Sequence, residues 1–290
     1  MRGGTDRRIF VQIPAYRDAE LAPTLHSLYD NAADPAALRT CVVWQYGPGE
    51  GLPEPTTALP NLDLVAVPAE RSEGCNWARA IAQRRWGGEP YMLLIDSHHR
   101  FAPGWDRRLI DMYERLARTG VSKPLLTAYL PPYEPGDSRR GTTPTKLGPY
   151  RRQRGLLVRL MSYPLPHAPR QGPVPAEFLS LHFVFTAGRF AEEVIFDPEV
   201  YFLGDEVATS LLCYTHGYDL FHPHVVVGWH RYRRTERVAH WDDHPDWVAR
   251  QEHSFQRLRA LCTGRLPDRL GSVRGIADFE AAIMTELVAR

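Results

Sequence analysis

The apolar run Tyr91–Ile95 ends abruptly in Asp96-Ser97-His98, an acid and an imidazole two residues apart. Alternate residues of an extended segment share a face, so both side chains can turn toward one divalent cation. Carboxylate and imidazole together suit Mn²⁺, and Mg²⁺ to a lesser degree. The competing reading is a surface turn, because Asp and Ser favour turns. A second acidic pair, Asp205 and Glu206, follows Gly204 at the head of an apolar segment that reads as a helix ending near Gly217. Carboxylates are favourable at a helix N-terminus, and one within reach of a substrate hydroxyl can take its proton. Serving the helix dipole alone is the alternative. A third group, Pro14-Ala15-Tyr16-Arg17-Asp18, follows the apolar stretch 9–13.

Something must bring these groups together. Continuous apolar runs at 9–13, 40–45, 62–67, Tyr91–Ile95 and 125–130 read as buried strands. Helical spacing marks 20–31, 76–85 and Trp105–Arg118. The alternation predicts an α/β fold: a mostly parallel, twisted sheet with helices on both faces. Ligands in such sheets bind at the carboxyl ends of strands, where the loops after Ile13, Val67 and Ile95 fall. Short strands are expected at 220–221 and 225–227, and helices at 246–261 and 276–288. Segment 131–175 is crowded with Pro, Gly and Arg, including Arg139-Arg140-Gly141 and Arg151-Arg152-Gln153-Arg154, and reads as a long loop. Its basic character suits a phosphate or an acidic acceptor, or simply a solvated surface.

The chain has 290 residues, 43% hydrophobic, enough for one large domain or two small ones. The division expected is a catalytic domain over 1–235 and a helical extension over 236–290 packed on it. A net charge of +1 gives no general attraction to nucleic acid. No apolar run is long enough to span a bilayer, and no export signal is legible, so the expected location is cytoplasmic. Cys41, Cys75, Cys213 and Cys262 are scattered without metal-finger spacing. The loop after 9–13 has no glycine, which argues against a nucleotidyltransferase making NDP-sugars. The missing G-x-G-x-x-G excludes a dinucleotide dehydrogenase. A non-catalytic sugar- or peptide-binding module remains an alternative.

Several stretches share an order with a known family: 9–18, 43–45, 76–79, 96–106, Phe196-Asp197-Pro198, Gly204-Asp205-Glu206, 214–219 and His240-Trp241-Asp242-Asp243. Together they resemble the GT-A nucleotide-sugar glycosyltransferases. More narrowly, they resemble the UDP-GlcNAc-dependent polypeptide transferases that include the Skp1 hydroxyproline GlcNAc-transferase. The resemblance runs from Ile9 to about Phe279. It implies the GT-A fold and a metal-dependent retaining transfer, with a UDP-sugar, GlcNAc first, as donor. It also implies a hydroxyl acceptor on a peptide, protein or small molecule. Segment 131–175 departs from the family pattern, so no acceptor is carried over.

The resemblance also suggests roles. Asp96, His98 and, as third ligand, His230 would hold the Mn²⁺ or Mg²⁺. His230 lies just past the expected strand 225–227, although a stacked histidine beside Trp229 is the alternative. His99 competes with His98 but should point to the opposite side. The loop of Ala15, Tyr16 and Arg17 would hold the uridine. Arg71 would reach uracil or phosphate, and Arg79 the sugar and Asp96. Asp205 and Glu206 would face sugar or acceptor. Trp229, His240, Trp241 and Asp242 are candidates for the acceptor side.

Overall fold

A computed structural model describes residues 6–137, 140–165 and 172–289. Its strands are β1 (Ile9–Tyr16), β2 (Leu38–Tyr46), β3 (Leu62–Pro68), β4 (Tyr91–Ile95), β5 (His99–Phe101), β6 (Pro124–Thr127), β7 (Thr145–Gln153), β8 (Leu156–Pro164), β9 (Val174–Pro175), β10 (Phe183–Ala187), β11 (Asp219–His222) and β12 (Gly228–His230). Its α-helices are α1 (Leu21–Asp30), α2 (Glu54–Thr57), α3 (Cys75–Gln83), α4 (Trp105–Arg118), α5 (Phe190–Glu193), α6 (Asp205–Thr215), α7 (His240–Asp243), α8 (Trp247–Cys262) and α9 (Ile276–Ala282).

Eight strands form one sheet in the order β3-β2-β1-β4-β10-β6-β11-β9. The first four are mutually parallel, and β10 runs antiparallel between β4 and β6. The sheet is buried on both faces. In β1, Phe10 points into a core shared with α3, α6 and α8, while Ile9, Val11 and Ile13 point into a core shared with α1 and α4. That is the two-residue alternation of a pleated strand. All five side chains of β4 are buried, which accounts for its uninterrupted apolar sequence. Truncating Leu94 to Ala would cost roughly 2–5 kcal/mol on general grounds.

The helix ends that matter are set locally. Gly204 precedes α6 at φ +92°, and a Cβ there would lie 2.6 Å from the Leu258 side chain, so both conformation and packing demand glycine. At the other end, the Gly217 amide donates to the Tyr214 carbonyl and the Tyr218 amide to that of Cys213. This is the paired closure that glycine in the left-handed region allows.

Several expected elements are corrected. Segment 131–175 is not a structureless loop, because β7 and β8 within it form an antiparallel hairpin. The turn is Arg154-Gly155, both at positive φ, the type I′ geometry that matches strand twist. Leu147, Leu156, Leu157, Val158 and Leu160 of the hairpin enter the core. Arg139 lies outside the described residues. Residues 225–227 are not a strand; the strand begins at Gly228, and His230 lies inside it. The strand read at 125–130 ends at Thr127, β1 extends to Tyr16, and the final helix stops at Ala282. Among the described residues, no helix is long and apolar enough to cross a membrane.

Candidate active site

Two elements meet at the carboxyl end of β4. Immediately after Asp96-Ser97-His98, β5 pairs antiparallel with β12, and His230 stands opposite His99. This pairing carries a residue distant in sequence to the end of β4. Asp96, His98 and His230 come together, each offering a ligand atom within 4.8 Å of the others. His98 Nε2 lies 3.6 Å, and His230 Nε2 3.5 Å, from Asp96 Oδ2.

The two imidazoles are held in different ways. His98 Nδ1 lies 2.7 Å from Asp18 Oδ2. Asp18, which only accepts, and Arg234 Nη1, which only donates and lies 3.0 Å away, both meet this nitrogen, while Nε2 faces Asp96. Asp18 also accepts from Ser97 Oγ at 2.7 Å. Burial would raise the Asp18 carboxyl, but the hydrogen bonds from His98 and Ser97 outweigh it and hold it down to about 2. Burial pushes His230 down to about 4. Asp96 is held well below its ordinary value: burial opposes this, and His230, His98 and Arg79 prevail. His98 Nε2 and both ring nitrogens of His230 are buried without a hydrogen-bond partner. Orphaned buried nitrogens are costly unless something coordinates them, and this donor set fits a divalent ion.

His99 lies outside the triad, yet it does not point clear of it. Its ring packs 4.8 Å from that of His230, and its Nδ1 lies 3.0 Å from the Asp96 carbonyl oxygen. His182, which sequence reasoning missed, stacks on His230 at 4.2 Å. The Leu130 amide donates to His182 Nε2, leaving the proton on Nδ1 to meet Ser180 Oγ at 2.9 Å.

Arg79 joins the two acidic groups. Its Nη1 donates to Asp205 Oδ2 at 2.9 Å and its Nη2 lies 3.8 Å from Asp96 Oδ1. Burial lowers the guanidinium's affinity for its proton, but Asp205 and Asp96 are among the groups that more than restore it. Glu206 accepts from Tyr129 Oη at 2.6 Å, Ser180 Oγ at 2.7 Å and the Leu181 amide at 3.1 Å. Burial raises both acids. At Asp205, Arg79 opposes the rise; at Glu206, the Asp205 charge adds to it and the carboxyl is pushed up to about 7.

Two cavities open on either side of Asp96. The first, of about 790 Å³, is walled by Pro14, Tyr16, Gln45 and His98 and faced by the strap from Arg234 to Trp241. Tyr16 is tied from outside the cavity, beside Arg17, which does not line it. Tyr16 Oη donates to Asp243 at 2.6 Å, and Arg17 donates to Asp243 at 2.9 Å and Glu50 at 2.8 Å. Arg17 sits at φ +44°, just past the strand rather than in a long loop. Ala15 is wholly buried, and its carbonyl accepts from Gln45. The second cavity, of about 1070 Å³, is lined by Tyr129, His182, Asp205, Glu206 and Tyr232, with the hairpin residues Val158, Arg159 and Leu160 as one wall. Asp96, Arg79, Arg234 and Arg237 line both.

Not every expected residue is brought in. Arg71 is exposed at the end of the short turn Ala69–Arg71 and lines neither cavity. The late aromatic cluster divides. His240 and Trp241 line the first cavity. Trp229 instead donates to the Gly141 carbonyl under Arg140. Asp242 accepts from the Ala239 amide at the head of α7. Asp18 and Asp243 lie inside stretches 9–18 and 240–243, which carry the family resemblance. Their partners, 80 and 227 positions away, give no local signal.

A family model described as glycosyltransferase (GlcNAc) matches residues 8–62 and 52–286. Sequence comparison with the curated proteins finds no match. Among solved structures, the fold is similar to GalNAc-T7 with UDP, GalNAc and Mn²⁺: 14% identity and TM-score 0.58, over 96% of this chain and 55% of that one. This chain therefore spans about half the length of that protein. The S. aureus TarS 1-349 structure in complex with UDP-GlcNAc is similar over 95% of this chain and 70% of that one, with 12% identity and TM-score 0.57. At these identities the likeness shows the GT-A fold.

Proposed function

The chain belongs to the GlcNAc glycosyltransferase family, and from that premise we propose that it moves a sugar, GlcNAc first among candidates, from a UDP-sugar to an acceptor hydroxyl with retention of configuration. Asp96, His98 and His230 would hold the divalent ion, Mn²⁺ or Mg²⁺. Such an ion neutralises the donor diphosphate as a Lewis acid. The observation that carries this reading is the meeting of two cavities at one acid: Asp96 stands between a pocket walled by Tyr16 and a chamber lined by Glu206. GalNAc-T7 and TarS were solved with UDP-type ligands, which supports a UDP-sugar here.

The chain's own residues divide the work. Tyr16, fixed by Asp243, offers an aromatic face to the base. Arg17, held by the same carboxylate, lies beside it to reach ribose or phosphate. Arg234 and Arg237 on the strap place positive charge over both cavities, where the diphosphate would lie. Arg79 holds Asp205 and reaches Asp96, coupling the sugar's neighbourhood to the diphosphate end. In the transfer, the bond from the anomeric carbon to the phosphate oxygen breaks and one to the acceptor oxygen forms. The acceptor proton leaves on the departing UDP phosphate. Glu206, ionised and pinned by Tyr129 and Ser180, orients sugar hydroxyls and stabilises positive charge on the ring. Asp205, committed to Arg79, is a positioning residue.

The test is a panel of UDP-sugars incubated with the protein and Mn²⁺ or EDTA, reading UDP release. The proposal expects slow hydrolysis of one donor, UDP-GlcNAc first, abolished by EDTA. No UDP release from any donor with metal present would overturn it in favour of a binding module.

A further inference from the structure

The β7–β8 hairpin presents an outer face that the proposed chemistry does not use. Register places Lys146 opposite Tyr163, Gly148 opposite Met161 and Arg151 opposite Arg159. All of these except Gly148 are at least 36% exposed. Arg151 and Arg159 are paired where the register shifts on either side of Arg151, and like charges on paired positions weaken a ladder. Near the tip of the same hairpin, exposed Arg154 meets Glu252. Among the described residues, the side chains of Lys146, Arg151 and Arg159 have no carboxylate partner and no hydrogen bond. The face is continuous with the chamber of Glu206, because Arg159 lines that chamber.

We propose that this face is the docking ledge for the acceptor, and that the acceptor is an acidic polypeptide segment lying extended along β8 with its hydroxyl residue in the Glu206 chamber. The inference rests on the transferase reading above. Charge complementarity selects an anion: three unpaired cations, two of them opposed, are neutralised together by one acidic chain. Pattern selects a polypeptide over a phosphodiester polymer. Along β8 the outward residues run Arg159, Met161, Tyr163, one cation followed by two apolar side chains. Their spacing of about 6.7 Å matches alternate side chains of an extended peptide. Such a peptide sets carboxylates on the cations and apolar groups on the thioether and ring. A phosphodiester chain supplies charge at each repeat and nothing for Met161 and Tyr163. Tyr163 also lies across Gly148, where a Cβ would stand 3.1 Å from its ring, so the aromatic floor of the ledge is set by a glycine on the partner strand.

The experiment uses the full chain with Mn²⁺ and UDP. Fluorescence anisotropy follows three labelled probes: a Glu-Thr alternating decapeptide, a Lys-Thr decapeptide and inorganic polyphosphate. The proposal expects the acidic peptide to bind, the basic one not to, and binding to weaken with salt. In Lys146→Glu/Arg151→Glu, with a melting temperature close to wild type, acidic-peptide affinity falls about tenfold or more. Equal binding in wild type and variant overturns the ledge. So does tight polyphosphate binding, lost in the variant, without acidic-peptide binding, which would mark a phosphopolymer instead. Donor hydrolysis measured on the same wild-type sample separates the two claims. Peptide binding without hydrolysis of any donor leaves the ledge standing and sinks the transferase reading.

Discussion

Around Asp96, polar side chains are tied to one another; on the outer face of the β7–β8 hairpin, Lys146, Arg151 and Arg159 meet no carboxylate among the described residues. Asp18 grips His98, Arg79 joins Asp205 to Asp96, and Asp243 holds both Tyr16 and Arg17. Arg151 and Arg159 face each other without an acid. The first region is preorganised, so its groups meet a charged ligand without rearranging. The second is an open surface whose charge awaits a partner. If both proposals hold, the tied region performs a reaction and the untied one chooses what receives it.

The contrast can be broken from its tied side first. Asp96→Ala removes the acid that lines both cavities. It should lower metal-dependent UDP release about a thousandfold, equivalent to roughly 4 kcal/mol of lost charge stabilisation. Unchanged metal-dependent UDP affinity in this variant would remove Asp96 from the ligand set. Glu206→Gln should reduce turnover about a hundredfold while donor binding, read by calorimetry, changes little. Equal losses in both would make Glu206 structural.

The same residue gives a pH signature. Its carboxyl is raised from 4.5 to about 7, so the native state binds more protons than the unfolded chain between those values. Stability contributed by Glu206 is therefore present below about 4.5 and is lost as pH rises through about 7. Its ionised fraction in the native state, and with it the rate, should rise as pH passes through about 7. Glu206→Gln should flatten that limb of the rate profile.

Asp18→Asn sharpens the comparison, because it leaves the three proposed ligands intact and weakens the contact that orients His98. Mn²⁺ affinity should fall about tenfold to a hundredfold, as for other partners of ligating histidines. An unaltered affinity would show that His98 needs no orienting. The smallest effect is expected at Asp243→Asn. It loosens a partly exposed pair worth about 0.5–1 kcal/mol, so donor affinity should weaken only a few-fold.

Much of the tied region is legible in sequence because its strands are buried on both faces. Tyr91–Ile95 and Trp105–Arg118 stand where the apolar pattern puts them. The hairpin reads as a loop because Pro, Gly and Arg dominate its composition. A local strand signal is nonetheless there: Arg154-Gly155 followed by Leu156-Leu157-Val158. His230 shows a different limit. It reaches Asp96 through the β5–β12 pairing and not from the end of a strand at 225–227. Asp18, His182 and Asp243 carry no periodic or motif signal of their own roles, since each acts through a partner brought near only by the folded sheet.

The central claim is an ion held between Asp96, His98 and His230 beside the donor diphosphate. A crystal grown with UDP and Mn²⁺, with data collected at the manganese edge, tests it directly. The account predicts one anomalous peak within coordination distance of Asp96 Oδ2, His98 Nε2 and His230 Nε2, in contact with the diphosphate. Bound UDP with the peak elsewhere, or with no peak, would contradict it.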